Sequence, residues 1–98
     1  MPSCLVLMHA DTTSPVDETA WTSYIARLAA TGRFMGGSAI GNGVCLRRSG
    51  PVPDVSAQLT GFIRIEAEDI DAARRMMDGN PIYEAGGTVE IRALPKTG

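Results

Sequence analysis

The chain has 98 residues, of which 44% are hydrophobic and 20% charged, and its formal net charge is −2. Such a length and composition are typical of one globular domain spanning residues 1–98. The small negative charge argues against a nucleic-acid-binding surface, which is usually basic. No apolar run approaches the ~20 residues of a membrane span, so no membrane association is expected.

The N-terminal residues and the two cysteines indicate the compartment. The opening segment 1–4 leads into an apolar run without a basic leader, so we expect no signal peptide. Cys4 and Cys45 lie far apart in strand-like segments, which is typical of reduced thiols rather than of a disulfide framework or a metal site. These features predict a cytoplasmic protein without metal or other cofactors.

The first third of the chain contains a strand pattern followed by a helix pattern. Residues Cys4–Met8 are wholly apolar, as in a strand that is covered on both faces. Ser14 is a favourable N-cap and Pro15 suits the first helical position, so the sequence predicts a helix over residues 15–31. Gly32 then ends the helix.

The middle of the chain combines strand patterns with turn residues. Residues 34–40 predict a second strand, which its two glycines weaken. The turn Gly41-Asn42-Gly43 and the run Val44–Arg48 predict that the chain returns as another strand. Residues 49–56, which contain two prolines, predict a loop.

The last third repeats the order strand, helix, strand. Residues 59–66 alternate in side-chain type, as in a strand with two different faces. Glu68 or Asp69 is expected to cap a second helix, which Pro81 prevents from continuing beyond residues 79–80. Residues 88–94 predict the final strand.

With residues 59–66 counted as the third strand, the order β-α-β-β-α-β predicts an α+β fold of the ferredoxin-like kind: an antiparallel sheet with two helices on one face. The first strand is apolar on both sides, with Leu5 and Leu7 on one face and Val6 and Met8 on the other. The face without helices would therefore expose more apolar area than a soluble monomer tolerates. Burial against a second copy removes this exposure, so the sequence predicts a homodimer.

Several short motifs resemble those of the YCII-related family, especially its branch named for an Asp-Gly-Pro-Phe (DGPF) motif. Their order and spacing support the resemblance over nearly the whole chain; they are Ser49–Val52, Gln58–Phe62, Asp69–Ala72, Asn80–Pro81 and Gly87–Arg92. The resemblance implies a dimeric α/β barrel, in which two sheets face each other and enclose a cleft.

The chain departs from the family pattern at four positions. Ser49 and Val52 replace the Asp and Phe of the naming motif. Trp21 and Asn80 stand where some members carry a His and an Asp thought to act as a catalytic pair. Trp cannot transfer a proton and a neutral amide cannot act as a base, so the lyase or dehalogenating chemistry of such members is not implied for this chain.

His9 is the only histidine, and it precedes Asp11 by two residues. In an extended chain the two side chains lie on the same side, where the carboxylate would orient the ring for general acid–base catalysis. A surface histidine followed by a loop aspartate is the more common meaning of this spacing.

Five residues are candidates for ligand binding in a cleft between the sheets: Trp21, Phe62, Arg64, Asn80 and Tyr83. Each also has a structural interpretation, since aromatic side chains usually pack and Asn is common at helix ends. For Arg64 the more typical role is a charge ladder along the sheet; its expected members are Arg64, Glu66, Glu90 and Arg92.

The sequence leaves three functional interpretations open. The first is a homodimer that binds a small molecule between its sheets. The second is a minor enzyme of the lyase or isomerase type, with His9 and Asp11 as acid and base. The third is a non-catalytic accessory protein whose surface meets another protein. The binding interpretation predicts a cleft lined by Trp21 and Phe62, whereas the enzyme interpretation predicts His9 inside the cleft and within hydrogen-bond reach of Asp11.

Overall fold

Four antiparallel strands form the sheet in this computed structural model, which describes residues 1–96. The strands pair in the order β2-β3-β1-β4; their bounds are β1 Ser3–His9, β2 Phe34–Ala39, β3 Leu59–Glu66 and β4 Val89–Leu94. This order and the antiparallel pairing confirm the predicted ferredoxin-like α+β class.

One face of the sheet is covered by three helices, α1 Ala20–Ala30, α2 Ile70–Arg75 and α3 Pro81–Glu84. The core lies between the helices and this face, and its members are nearly or fully inaccessible to solvent; they include Val6, Tyr24, Leu28, Ile63, Ile65, Ala73, Met77 and Ile82. Within residues 1–96, no helix is long and apolar enough to cross a membrane.

The two faces of β1 differ in burial, as alternation requires. Cys4, Val6 and Met8 lie under the helices and are at most 4% exposed. Leu5 and Leu7 point to the opposite face, which no helix covers, and are half-buried there. We call this second surface the open face of the sheet.

The first helix is shorter than the sequence predicts. It begins at Ala20 instead of Pro15, so Ser14 is not its N-cap. The backbone N–H groups of Thr13 and Ser14 donate to the carbonyl of Ala85, which holds this segment outside the helix. These tertiary hydrogen bonds override the local helix-start pattern. Gly32, with φ of 74°, follows the helix as predicted.

The prediction of a strand over Val44–Arg48 is wrong, because residues 40–58 form no strand. The sheet ends at β2, whose outer edge pairs with no strand in the described part of the chain. The alternating residues Val44 and Leu46 are 82% and 91% exposed. The free outer edge of β2 is therefore not enough to make this segment a strand, because strand formation also depends on the packing and burial of the side chains.

The second helical region differs from the predicted single helix. Asp69 caps α2 as predicted, and its carboxylate accepts from the N–H of Ala72 at 2.7 Å. The short helix α3 was not predicted, because Pro81 was interpreted only as a terminator. Proline is also favourable at the first position of a helix, and Asn80 supplies the cap before it.

Candidate functional site

A pocket of about 460 Å³ lies on the helix-covered side of the sheet, between α1 and the strands β2 and β3. Trp21 and Ile25 line it from α1, and Phe34 lines it from β2. Its volume falls in the range of typical small-molecule sites, about 300–1,000 Å³.

The pocket exists because the sheet carries small residues under the N-terminal half of α1. Gly37, Ser38 and Ala39 of β2 and Gly61 of β3 all line it. A larger side chain at Ala39 or Gly61, which lie opposite each other on the helix-covered face, would occupy the space between helix and sheet. The run of small residues in β2 was therefore the sequence feature that marked the pocket, although it was interpreted as a weakness of the strand.

The lining is mostly apolar, with a few polar groups. The aliphatic contributors come from five different parts of the chain; they are Met8, Val16, Ile25, Ile63 and Ile82. Ser38 and Thr60 also line it, and Glu18 is the single ionisable side chain among the described residues that line the pocket. An apolar wall with few polar groups is the usual chemistry of a small-molecule site.

Trp21 is the one predicted ligand-binding residue that lines this pocket. Its ring meets Tyr24 edge-on, with the ring centroids 6.0 Å apart and an interplanar angle of 70°. The Tyr24 hydroxyl donates to the Met76 carbonyl at 2.9 Å, and burial raises the pKa of Tyr24 above its ordinary value. The Tyr24 side chain therefore stays neutral and packs edge-on against the indole ring of Trp21.

Asn80 is fully buried beside the pocket and acts in the fold itself. Its Oδ1 accepts from the N–H of Ile82 at 3.0 Å and from that of Tyr83 at 3.2 Å. Its Nδ2 lies 3.6 Å from the Sδ of Met8. Met8 and Ile82 both line the pocket, so Asn80 positions two of its walls without lining it.

Phe62 and Arg64 lie on the open face, opposite to the pocket. In the strand register, Phe62 stands opposite Leu7 and Arg64 opposite Leu5. Trp21 covers the other face, so one cleft within this chain does not hold both Trp21 and Phe62. Tyr83 is 48% exposed on α3 and does not line the pocket.

His9 also lies outside the pocket, and its ring bonds to Glu90 rather than to Asp11. The His9 Nε2 donates to Glu90 Oε1 at 2.9 Å across the β1–β4 pair. Asp11 instead accepts from Thr88, through the backbone N–H at 2.8 Å and the hydroxyl at 2.6 Å. The expected orientation of the ring by Asp11 is therefore replaced by a contact with Glu90.

Charge pairs occupy the edge of the open face, in partial agreement with the predicted ladder. Arg92 donates to Glu90 Oε2 at 3.1 Å, along the same strand. The hydrogen bond from His9, and then the one from Arg92, lower the pKa of Glu90 below its ordinary value. The two hydrogen bonds from Thr88 lower the pKa of Asp11 in the same way.

The model of the YCII-related domain matches residues 7–96. The chain belongs to the YCII-related family. Among solved structures, the fold of this YCII-related chain is similar to that of 5-chloro-2-hydroxyhydroquinone dehydrochlorinase (TftG) from Burkholderia phenoliruptrix AC1100, in complex with 2,5-dihydroxybenzoquinone. The TM-score is 0.55 and the identity 13%, over 97% of this chain and 95% of that chain. A likeness at this identity shows the fold alone. No curated protein matches the sequence.

We expect the pKa of Glu90 to rise toward its ordinary value in the His9→Ala variant, because its largest stabilising hydrogen bond is lost. In the native protein the lowered pKa means that Glu90 contributes stability at neutral pH, which is lost as the pH falls through its folded-state pKa. NMR titration of the side-chain carboxyl carbons measures this directly. Asp11→Asn is the control and should leave the pKa of Glu90 nearly unchanged. A Glu90 pKa that is the same in the native protein and in His9→Ala would contradict the hydrogen bond between His9 and Glu90.

Proposed function

We propose that this YCII-related chain binds a small, largely apolar molecule in the pocket under α1, as a binding protein rather than an efficient enzyme. The preformed pocket of about 460 Å³, with Trp21 in its wall, is the observation that supports this function. The described lining contains neither histidine nor cysteine nor a basic residue. It thus offers no acid–base pair for proton transfer.

The affinity expected for a small probe is modest. A ligand of about twelve heavy atoms, at about 0.3 kcal/mol per atom, gains about 4 kcal/mol and binds in the millimolar range. A rigid, neutral bicyclic compound such as 1-naphthalenemethanol is a suitable probe, because its rings match the aromatic and aliphatic walls formed by Trp21, Phe34 and Ile63.

Trp21→Ala is expected to weaken the binding of 1-naphthalenemethanol by about tenfold, since it removes the largest aromatic surface in the lining. The measurement is an NMR titration of the Ile63 side-chain methyl groups, which face the same pocket.

The matched control is Tyr83→Ala, which removes an aromatic ring that is 48% exposed and outside the pocket. This variant should bind the probe as the native chain does. Equal loss in both variants, or no binding to the native chain, would show that the pocket is not the site.

A second candidate function rests on the hydrogen bond between His9 and Glu90. An imidazole paired with a carboxylate is a common unit of general acid–base catalysis, so a lyase or isomerase activity would use His9 with Glu90, and Asp11 nearby. This pair lies at the edge of the open face, away from the pocket. An enzyme of this kind would bind its substrate on the open face, whereas the first candidate function places the ligand in the pocket.

The proposed assembly is a cytosolic homodimer joined through the open face. Leu5, Leu7 and Phe62 form a half-buried apolar centre on this face, between the charged side chains of Arg64 and Glu90. Pairing with a second copy would bury that centre. Sedimentation equilibrium of the full chain tests this: a dimer mass supports the pairing, and a monomer mass at every concentration contradicts it.

We also propose that the chain belongs to the DGPF branch of the family, because it keeps the Gly50 and Pro51 of the naming motif.

A further inference from the structure

The charge of the pocket is set by Glu18. This side chain precedes α1 and stands at the exposed rim of the lining, while the walls are apolar. The neighbouring carboxylate of Asp17 also lies at this end of α1, where it accepts from the N–H and hydroxyl of Thr19. Both charges at this end of the helix are therefore negative.

The nearest basic residues in sequence point elsewhere. Arg33 directly precedes Phe34, but its guanidinium contacts the Sδ of Met1 at 2.8 Å. Arg27 donates to the Asp78 carbonyl and lies over the Tyr24 ring, 5.6 Å from its centroid. Neither arginine lines the pocket, so no basic side chain in the described lining pairs with Glu18.

Two aromatic rings line the pocket along with this carboxylate. Trp21 lies three residues after Glu18, and Phe34 lines the pocket from the strand on the opposite wall. The faces of aromatic rings attract cations, and Trp does so most strongly. A carboxylate with aromatic rings nearby matches a protonated amine attached to an apolar body.

We propose that the pocket selects organic cations, with the ammonium group of the ligand at Glu18 and its apolar body against Trp21 and Phe34. This inference rests on the proposed function and adds the charge class of the ligand. An anionic ligand of the same shape is disfavoured, because it would place its charge beside Glu18 without a cation to receive it.

Three naphthalene probes of similar shape test the inference: 1-naphthylmethylamine, which is protonated at neutral pH, neutral 1-naphthalenemethanol and anionic 1-naphthoate. The readout is the indole N–H of Trp21, the single tryptophan of the chain, at low ionic strength. We expect the ammonium probe to bind at least about tenfold more tightly than the carboxylate and about threefold more tightly than the alcohol.

The Glu18→Gln variant should bind the ammonium probe no more tightly than it binds the alcohol. Glu68→Gln is the matched control, because it removes an equal charge from an exposed residue outside the pocket and should keep the preference. Equal binding of all three probes, tighter binding of the carboxylate, or a preference that survives Glu18→Gln overturns the inference and leaves the pocket as a site. Failure of all three probes to bind overturns the proposed function as well.

Discussion

Asn80→Ala is expected to lower the free energy of unfolding by about 2–4 kcal/mol, because it combines the loss of a helix cap with the burial of unpaired N–H groups. The Asn80 side chain is fully buried and accepts from the backbone of Ile82 and Tyr83. A methyl group cannot accept either bond, and the buried site gives water little access to replace them. Urea denaturation followed by circular dichroism measures the change.

Asp69→Ala is the control for the cap alone. Asp69 also caps a helix, but its side chain accepts the Ala72 N–H at the exposed surface. Loss of an exposed cap costs about 1 kcal/mol, since water then hydrates the freed N–H group. If Asn80→Ala lowers the free energy of unfolding no more than Asp69→Ala does, the burial of Asn80 adds nothing to its contribution to stability.

Gly37→Ala is expected to lower the free energy of unfolding by at least about 2 kcal/mol, because a side chain at this position meets backbone. A Cβ atom there would overlap the Phe62 carbonyl oxygen and lie 2.8 Å from Cγ2 and 2.9 Å from Cα of Ile63. Strand β2 would have to move away from β3 to relieve these contacts. The same displacement would deform the pocket, so probe affinity should fall together with stability.

Gly41→Ala is the matched control for this substitution. Gly41 has nothing within 4 Å of an added Cβ atom, and the change in unfolding free energy should stay within about 0.5 kcal/mol. Thermal unfolding of both variants under one set of conditions makes the comparison. Equal stability of the two variants would contradict the close approach of β2 to β3.

The strands and their order were predictable because their patterns agree with the tertiary structure. The apolar run of β1 and the alternation of β3 correspond to strands, and the sheet order follows from the β-α-β-β-α-β sequence of elements. The predictions failed where tertiary contacts decide the local structure. The Ala85 carbonyl holds residues 13–14 outside the helix, and Val44–Arg48 find no packing partner that would make them a strand.

The candidate site was predictable only in part. Trp21 was predicted to line a cleft between two sheets, whereas it lines a pocket between α1 and the sheet of one chain. Glu18, Phe34 and Thr60 were missed, because they lie on different elements whose approach depends on the small residues between them. The His9–Glu90 contact joins residues 81 positions apart, and it depends on a β1–β4 register that the sequence does not specify.

The most direct test of the pocket as the ligand site is methyl NMR, because the two faces of the sheet carry different methyl-bearing residues. Ile25, Ile63 and Ile82 line the pocket, whereas Leu5 and Leu7 lie on the open face. On addition of 1-naphthalenemethanol, we expect the largest shift changes at the isoleucine methyl groups and at the Trp21 indole. Changes confined to Leu5 and Leu7 would place the ligand on the open face and contradict the proposed function.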